Sequence, residues 1–240
     1  MPEAASPSRE VNGRRNRPYL TLLTGLLFLI GPGCAGTGEL TRTQAAELIG
    51  GSQTFSIPVS LPLKTETGWN LRPLSADEPE AEAQARAAEN YYQAHPQMDA
   101  LRRLGLMDVR ATTREKPGEN HGVWAFDVEP LLTEKGKDLA SGDREDQGVP
   151  SVILARRELV EVTGIIKAGD QTAQTEYTWK EAPTAAGCAL SPGSPEHESL
   201  PAALRQTLRE RNQTKDFDKV RRGRAAFQLY DDGWRLLSAQ

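Results

Sequence analysis

Histidine and cysteine are scarce in this 240-residue chain, with three of the first and two of the second. His95, His121 and His197 are widely spaced, and none has a second histidine at the i, i+4 spacing that would set two imidazoles on one helix face for zinc. His197-Glu198 therefore lacks the partner of a zincin pair, and neither a metal nor a cofactor is expected. No G-x-S-x-G occurs, so the sequence offers no nucleophile elbow. Positive charge is not in excess either. The formal net charge is −4, and an acidic chain matches poorly with nucleic acid, whose binding rests on phosphate neutralisation by Lys and Arg. A long apolar run is also lacking. The longest, Tyr19 to Ile30, has 12 residues, whereas a helix needs about 20 to cross a bilayer.

That short run sits behind a basic cluster. Arg9, Arg14, Arg15 and Arg17 against Glu3 and Glu10 leave residues 1–33 at +2 and the remainder at −6. A charged stretch, a dozen apolar residues and then small residues, Gly31-Pro32-Gly33-Cys34-Ala35-Gly36, is the order of a secretory signal. Over residues 9–36 this resembles a bacterial lipoprotein signal segment. Gly33 precedes Cys34 as the pattern asks, while the aliphatic Ile30 lies four residues before the cysteine and Gly31 takes its usual place. The resemblance implies a diacylglyceryl thioether on Cys34, a membrane partner reached through that lipid, and a location on the periplasmic or extracellular face of the envelope. Cleavage after Ala35 would instead release a soluble secreted protein, and an uncleaved segment would act as an anchor. The same stretch reads literally as G-x-G-x-x-G, but no acidic residue follows at the distance a dinucleotide site needs, so a Rossmann site is set aside.

The body reads as α+β. Thr41 with Gln44 forms a capping-box signature ahead of Ala45 to Ile49, and Gly50-Gly51 stops that helix. Phe55 to Leu61 is interrupted by Pro58 and bounded by Pro62, which allows an edge strand at most. Residues 64–80 look like a loop. The Ala- and Glu-rich stretch 80–94 predicts a helix, a shorter one follows to Leu104, and 106–110 with 122–128 form two arms of a hairpin. Leu104-Gly105-Leu106 and Leu132-Thr133-Glu134-Lys135-Gly136 stand where a winged-helix domain closes its second helix and its wing, so residues 41–140 resemble that fold. The resemblance implies a DNA-reading helix, yet 80–94 offers only Arg86 against Glu80, Glu82 and Glu89.

Residues 141–149 read as a linker, dividing the mature chain into 34–140 and 150–240. Beyond it, 151–166 is rich in β-branched residues. Ala173, Thr175, Tyr177 and Trp179 then alternate with polar positions, as in a strand buried on one face. Pro183 to Pro201 looks like a loop. Leu200, Leu204 and Leu208 mark a helix, and Asp231-Asp232-Gly233 turns one more hairpin. The expected architecture is a winged-helix-like N-terminal part followed by a four-stranded antiparallel sheet with one helix.

Few residues stand out as functional. The basic group Lys219, Arg221, Arg222 and Arg224 is a candidate contact for anionic head groups. Asp231 and Asp232 read as turn formers, Tyr177 and Trp179 as core. Cys188 loses any disulfide partner if Cys34 carries lipid, and then behaves as a small apolar residue. The expectation is a non-enzymatic envelope protein that binds or supports a partner, a protein of the envelope among the candidates. Two alternatives stand beside it: a membrane-anchored winged-helix regulator, and an enzyme that gathers His121 or His197 with carboxylates.

Overall fold

The computed structural model of the chain describes residues 38–75, 77–117, 122–141 and 149–240. Cys34, the rest of the expected signal segment, His121 and most of the expected linker lie outside the described residues. In chain order the elements are α1 (Arg42–Gly50), α2 (Gln53–Ser56), β1 (Val59–Pro62), β2 (Glu66–Leu71), α3 (Glu80–Ala94) and α4 (Pro96–Arg103). Next come β3 (Met107–Glu115), β4 (Trp124–Leu132), α5 (Glu134–Lys137), β5 (Ser151–Lys167) and β6 (Thr172–Pro183). The chain ends with α6 (Ala185–Leu190), α7 (Pro195–Glu198), α8 (Ala202–Glu210), β7 (Arg221–Tyr230) and β8 (Gly233–Ala239).

Among the described residues eight strands make two antiparallel sheets. One has five strands in the order β1-β5-β6-β7-β8 and is curled, and the other has three in the order β2-β4-β3. This overturns the expected architecture of a helical winged-helix-like part followed by four strands. The helix that begins at Thr41 does not pack with α3 and α4. Its Ala45 and Ile49, both fully buried, seat on the five-stranded sheet instead. The stretch read as a loop contains β2, whose alternation is broken by Gly68 at φ +71 and by a register shift between Glu66 and Trp69. The four C-terminal strands are joined by a fifth, β1, from far earlier in the chain. Pro58 and Pro62 confine β1 to the sheet edge, where it pairs with the first residues of β5. The stretch from Pro183 to Pro201 holds two short helices as well, so three helices separate β6 from β7.

β5 ties the molecule together. Val152, Leu154 and Ala155 pack into one core with Leu63, Tyr91, Trp124 and Phe126 of the three-stranded side and with Leu190, Leu208 and Phe217. Further along the same strand, Val162 belongs to a second core with Ala45, Ile49, Phe55, Tyr177 and Phe227. β5 carries register shifts on either side of the second stretch, at Leu159/Glu161 and at Val162/Gly164. Such bulges add twist and curl the sheet around α1. On β6 the expected alternation holds, with Ala173, Thr175 and Tyr177 buried and Trp179 half-buried on one face. Tyr177 lies opposite Gly223 and covers it, and its hydroxyl donates to the Gln240 carbonyl at 3.0 Å.

Candidate functional site

The inner face of the five-stranded sheet is covered by α1 and α2 around Val162, Tyr177, Ala225 and Phe227. Toward the end formed by the β5–β6 turn, that roof stops. There Ile165, Ala173, Leu229 and Trp234, from four neighbouring strands, form the floor of a cleft of about 540 Å³, with Lys167 at its rim. Gly38, Glu39 and Leu40 make its wall, and Asp170 and Gln171 its lip. A cleft of this size falls in the range of small-ligand sites, about 300–1,000 Å³.

Local chemistry holds the wall in place. The Thr41 hydroxyl accepts from the Gln44 amide at 3.2 Å, and the Gln44 side-chain oxygen accepts from the Thr41 amide at 3.1 Å, so α1 starts at a fixed point. The Trp234 indole N–H donates to the Gly38 carbonyl at 2.9 Å, which ties the segment before α1 to β8. Arg42 reaches across to the Thr163 carbonyl at 3.3 Å. Leu40 is buried between these contacts. The cleft is thus apolar below and charged above, with exposed Glu39, Asp170 and Lys167 at the rim and no ion-pair partner for any of the three among the described residues.

The basic group is divided by the strand pleat. Arg221 lies on the inner face, 5.2 Å over the Trp179 ring and 3.2 Å from Glu181. Arg222 and Arg224 emerge on the opposite face, where Arg224 is 3.1 Å from Glu176. These two line an open trough with Thr163, Thr178 and Gln240. Lys219 precedes the strand and is exposed. The four residues do not form one surface, because successive side chains of a strand point to opposite sides.

The two described histidines serve packing. His197 is 1 % exposed, and its Nδ1 lies 2.9 Å from the Ala189 carbonyl, bracing the corner between α6 and α7. His95 caps α3 beside the Tyr91 ring at 4.4 Å, and its Nε2 lies 2.8 Å from Glu66 Oε1 without the alignment of a hydrogen bond. Tyr91 is 2 % exposed, and burial, assisted by the Glu66 charge, pushes its phenol up to about 12. Burial, then Glu196 and Asp218, raises the Cys188 thiol, and Cys188 itself is half-buried and unpaired. Among the described residues no three His, Cys, Asp or Glu side chains gather as metal ligands.

Sequence reasoning did not single out the cleft. Gly169-Asp170 was legible as a turn and Ala173 as an inward position. Nothing in the spacing, however, brings Glu39 and Trp234 together from opposite ends of the chain. No protein-family model, no curated protein and no solved structure matches this chain.

Proposed function

We propose that the protein is an exported envelope protein, held to a membrane by lipid on Cys34, and that it works by binding through the cleft at the end of the five-stranded sheet. The observation that carries this reading is the juxtaposition at Gly38. The chain leaves the expected lipid-bearing segment four residues earlier and enters the folded body as the wall of that cleft. The 12-residue apolar run supports an export tag, being too short to span, and no helix among the described residues is long and apolar enough to cross a membrane. The apolar floor and the uncommitted rim charges support binding.

Intact mass analysis of the protein from membranes, with metabolic labelling by a radioactive fatty acid, tests the anchor. The expected product starts at Cys34, carries lipid, and loses both label and membrane association as Cys34→Ala. A chain beginning at Met1 with no added mass, free in the soluble fraction, defeats the reading.

A further inference from the structure

We propose that the cleft takes the head group of a zwitterionic membrane amphiphile, one that carries a phosphate and a primary amine. The inference rests on the anchored reading above, which limits where the cleft can be. Only three residues separate Cys34 from Gly38, a reach of at most about 14 Å over four steps of the backbone, so a lipid on Cys34 keeps the cleft close to the membrane surface.

The rim selects the head group. Two carboxylates, Glu39 and Asp170, stand against a single ammonium, Lys167, and among the described residues none of these charges is spent on an ion pair. Glu39 and Asp170 offer acceptors to an ammonium, and Lys167 offers a donor to a phosphate. A head group with only negative charge meets two like charges and one opposite, an arrangement that disfavours it. Beneath the rim, Leu40, Leu229 and Trp234 offer apolar surface to the glycerol and the first carbons of the tails. Tryptophan suits this place, since its ring is amphipathic and settles where an apolar and a wet region meet. A volume of about 540 Å³ accommodates a head group and the start of its tails, leaving the rest of each tail in the bilayer. A free zwitterion without tails leaves the apolar floor unused.

The test uses the full chain as Cys34→Ala, labelled with nitrogen-15, and follows the Trp234 indole N–H signal, identified by its loss in Trp234→Phe. Dihexanoyl-phosphatidylethanolamine, kept below its micelle concentration, is titrated in beside dihexanoyl-phosphatidylglycerol and phosphoethanolamine. The expected result is a saturable shift of the Trp234 signal with the first compound alone. In Glu39→Gln/Asp170→Asn, both exposed positions, affinity falls about fivefold while the other indole signals stay in place. An equal response to the glycerol head group, an equal response to phosphoethanolamine, or no response at all overturns the proposal. The titration does not depend on the anchor. A missing lipid on Cys34 is read from the mass measurement, whereas a silent Trp234 signal removes the head-group assignment whatever that mass shows.

Discussion

Glu78 shows how one buried charge organises a loop. Its side chain is 3 % exposed. It accepts from the Leu74 amide at 2.9 Å, from Arg86 Nη2 at 2.7 Å on each carboxylate oxygen and from Arg86 Nε at 3.2 Å, while Arg86 Nη1 donates to the Arg72 carbonyl at 2.8 Å. Burial alone raises the carboxyl. The Leu74 amide and Arg86 outweigh it and hold Glu78 below the usual carboxylate range. A lowered folded-state value means that the ionised form stabilises the fold, fully so above the unfolded carboxylate value of about 4.3, and that this contribution fades as pH falls through the folded value. Glu78→Gln therefore lowers the urea midpoint at pH 7, and the gap between variant and parent narrows in steps taken from pH 5 down to pH 3. A gap that stays constant over that range means the pair does not act through its charge. Arg86 entered the sequence reading only as the one basic residue of a helix weighed for DNA contact. The structure gives it this internal task, which a count of charges along a helix does not reveal.

Elements were legible where a local signal decides them. The Ala- and Glu-rich stretch is α3, the capping box opens α1, and period-two alternation marks β6. Those signals lie within a few residues of one another. β2 and α6 were not legible, because distant contacts decide them. β2 tolerates a left-handed Gly68 only because β4 pairs with its remainder. α6 has six residues, too few to be stable alone, and is fixed by burial of Ala186, Ala189 and Leu190 and by Thr184. The Thr184 hydroxyl accepts from the Gly187 amide at 3.3 Å and sits 2.6 Å from the Ile153 carbonyl. Gly187 presses so closely on the Leu154 carbonyl that a Cβ has no room. Gly187→Ala should then destabilise the protein by about 1–3 kcal/mol through forced backbone shifts, although alanine is the better helix former. A denaturant midpoint that rises in this variant means helix propensity wins and the close approach is unimportant. The cleft belongs with the illegible group, since its wall and floor come from opposite ends of the chain.

At the scale of the molecule the question is whether the two cores melt together. β5 contributes Val152 and Leu154 to one and Val162 to the other, and hydrogen bonds run along it to β1 at its start and to β6 thereafter. Unzipping either core exposes backbone that the neighbouring stretch of the same strand must then carry into water, which favours a joint transition. Each core has its own reporters: Trp69 and Trp124 in the first, Trp179 and Trp234 in the second. With fluorotryptophan at all four positions, Phe227→Ala, which removes a side chain 1 % exposed, serves as the probe. It should cost about 3–5 kcal/mol and lower the melting temperature by about 10 °C at all four signals at once. If only the Trp179 and Trp234 signals move, the bulges of β5 isolate the cores, and a ligand in the cleft stabilises its own half alone. If all four move together, the binding free energy at the cleft is felt through the length of β5. An occupied cleft then raises the melting temperature of the three-stranded side, which it does not touch, by the same mass action that stabilises the sheet it lies on.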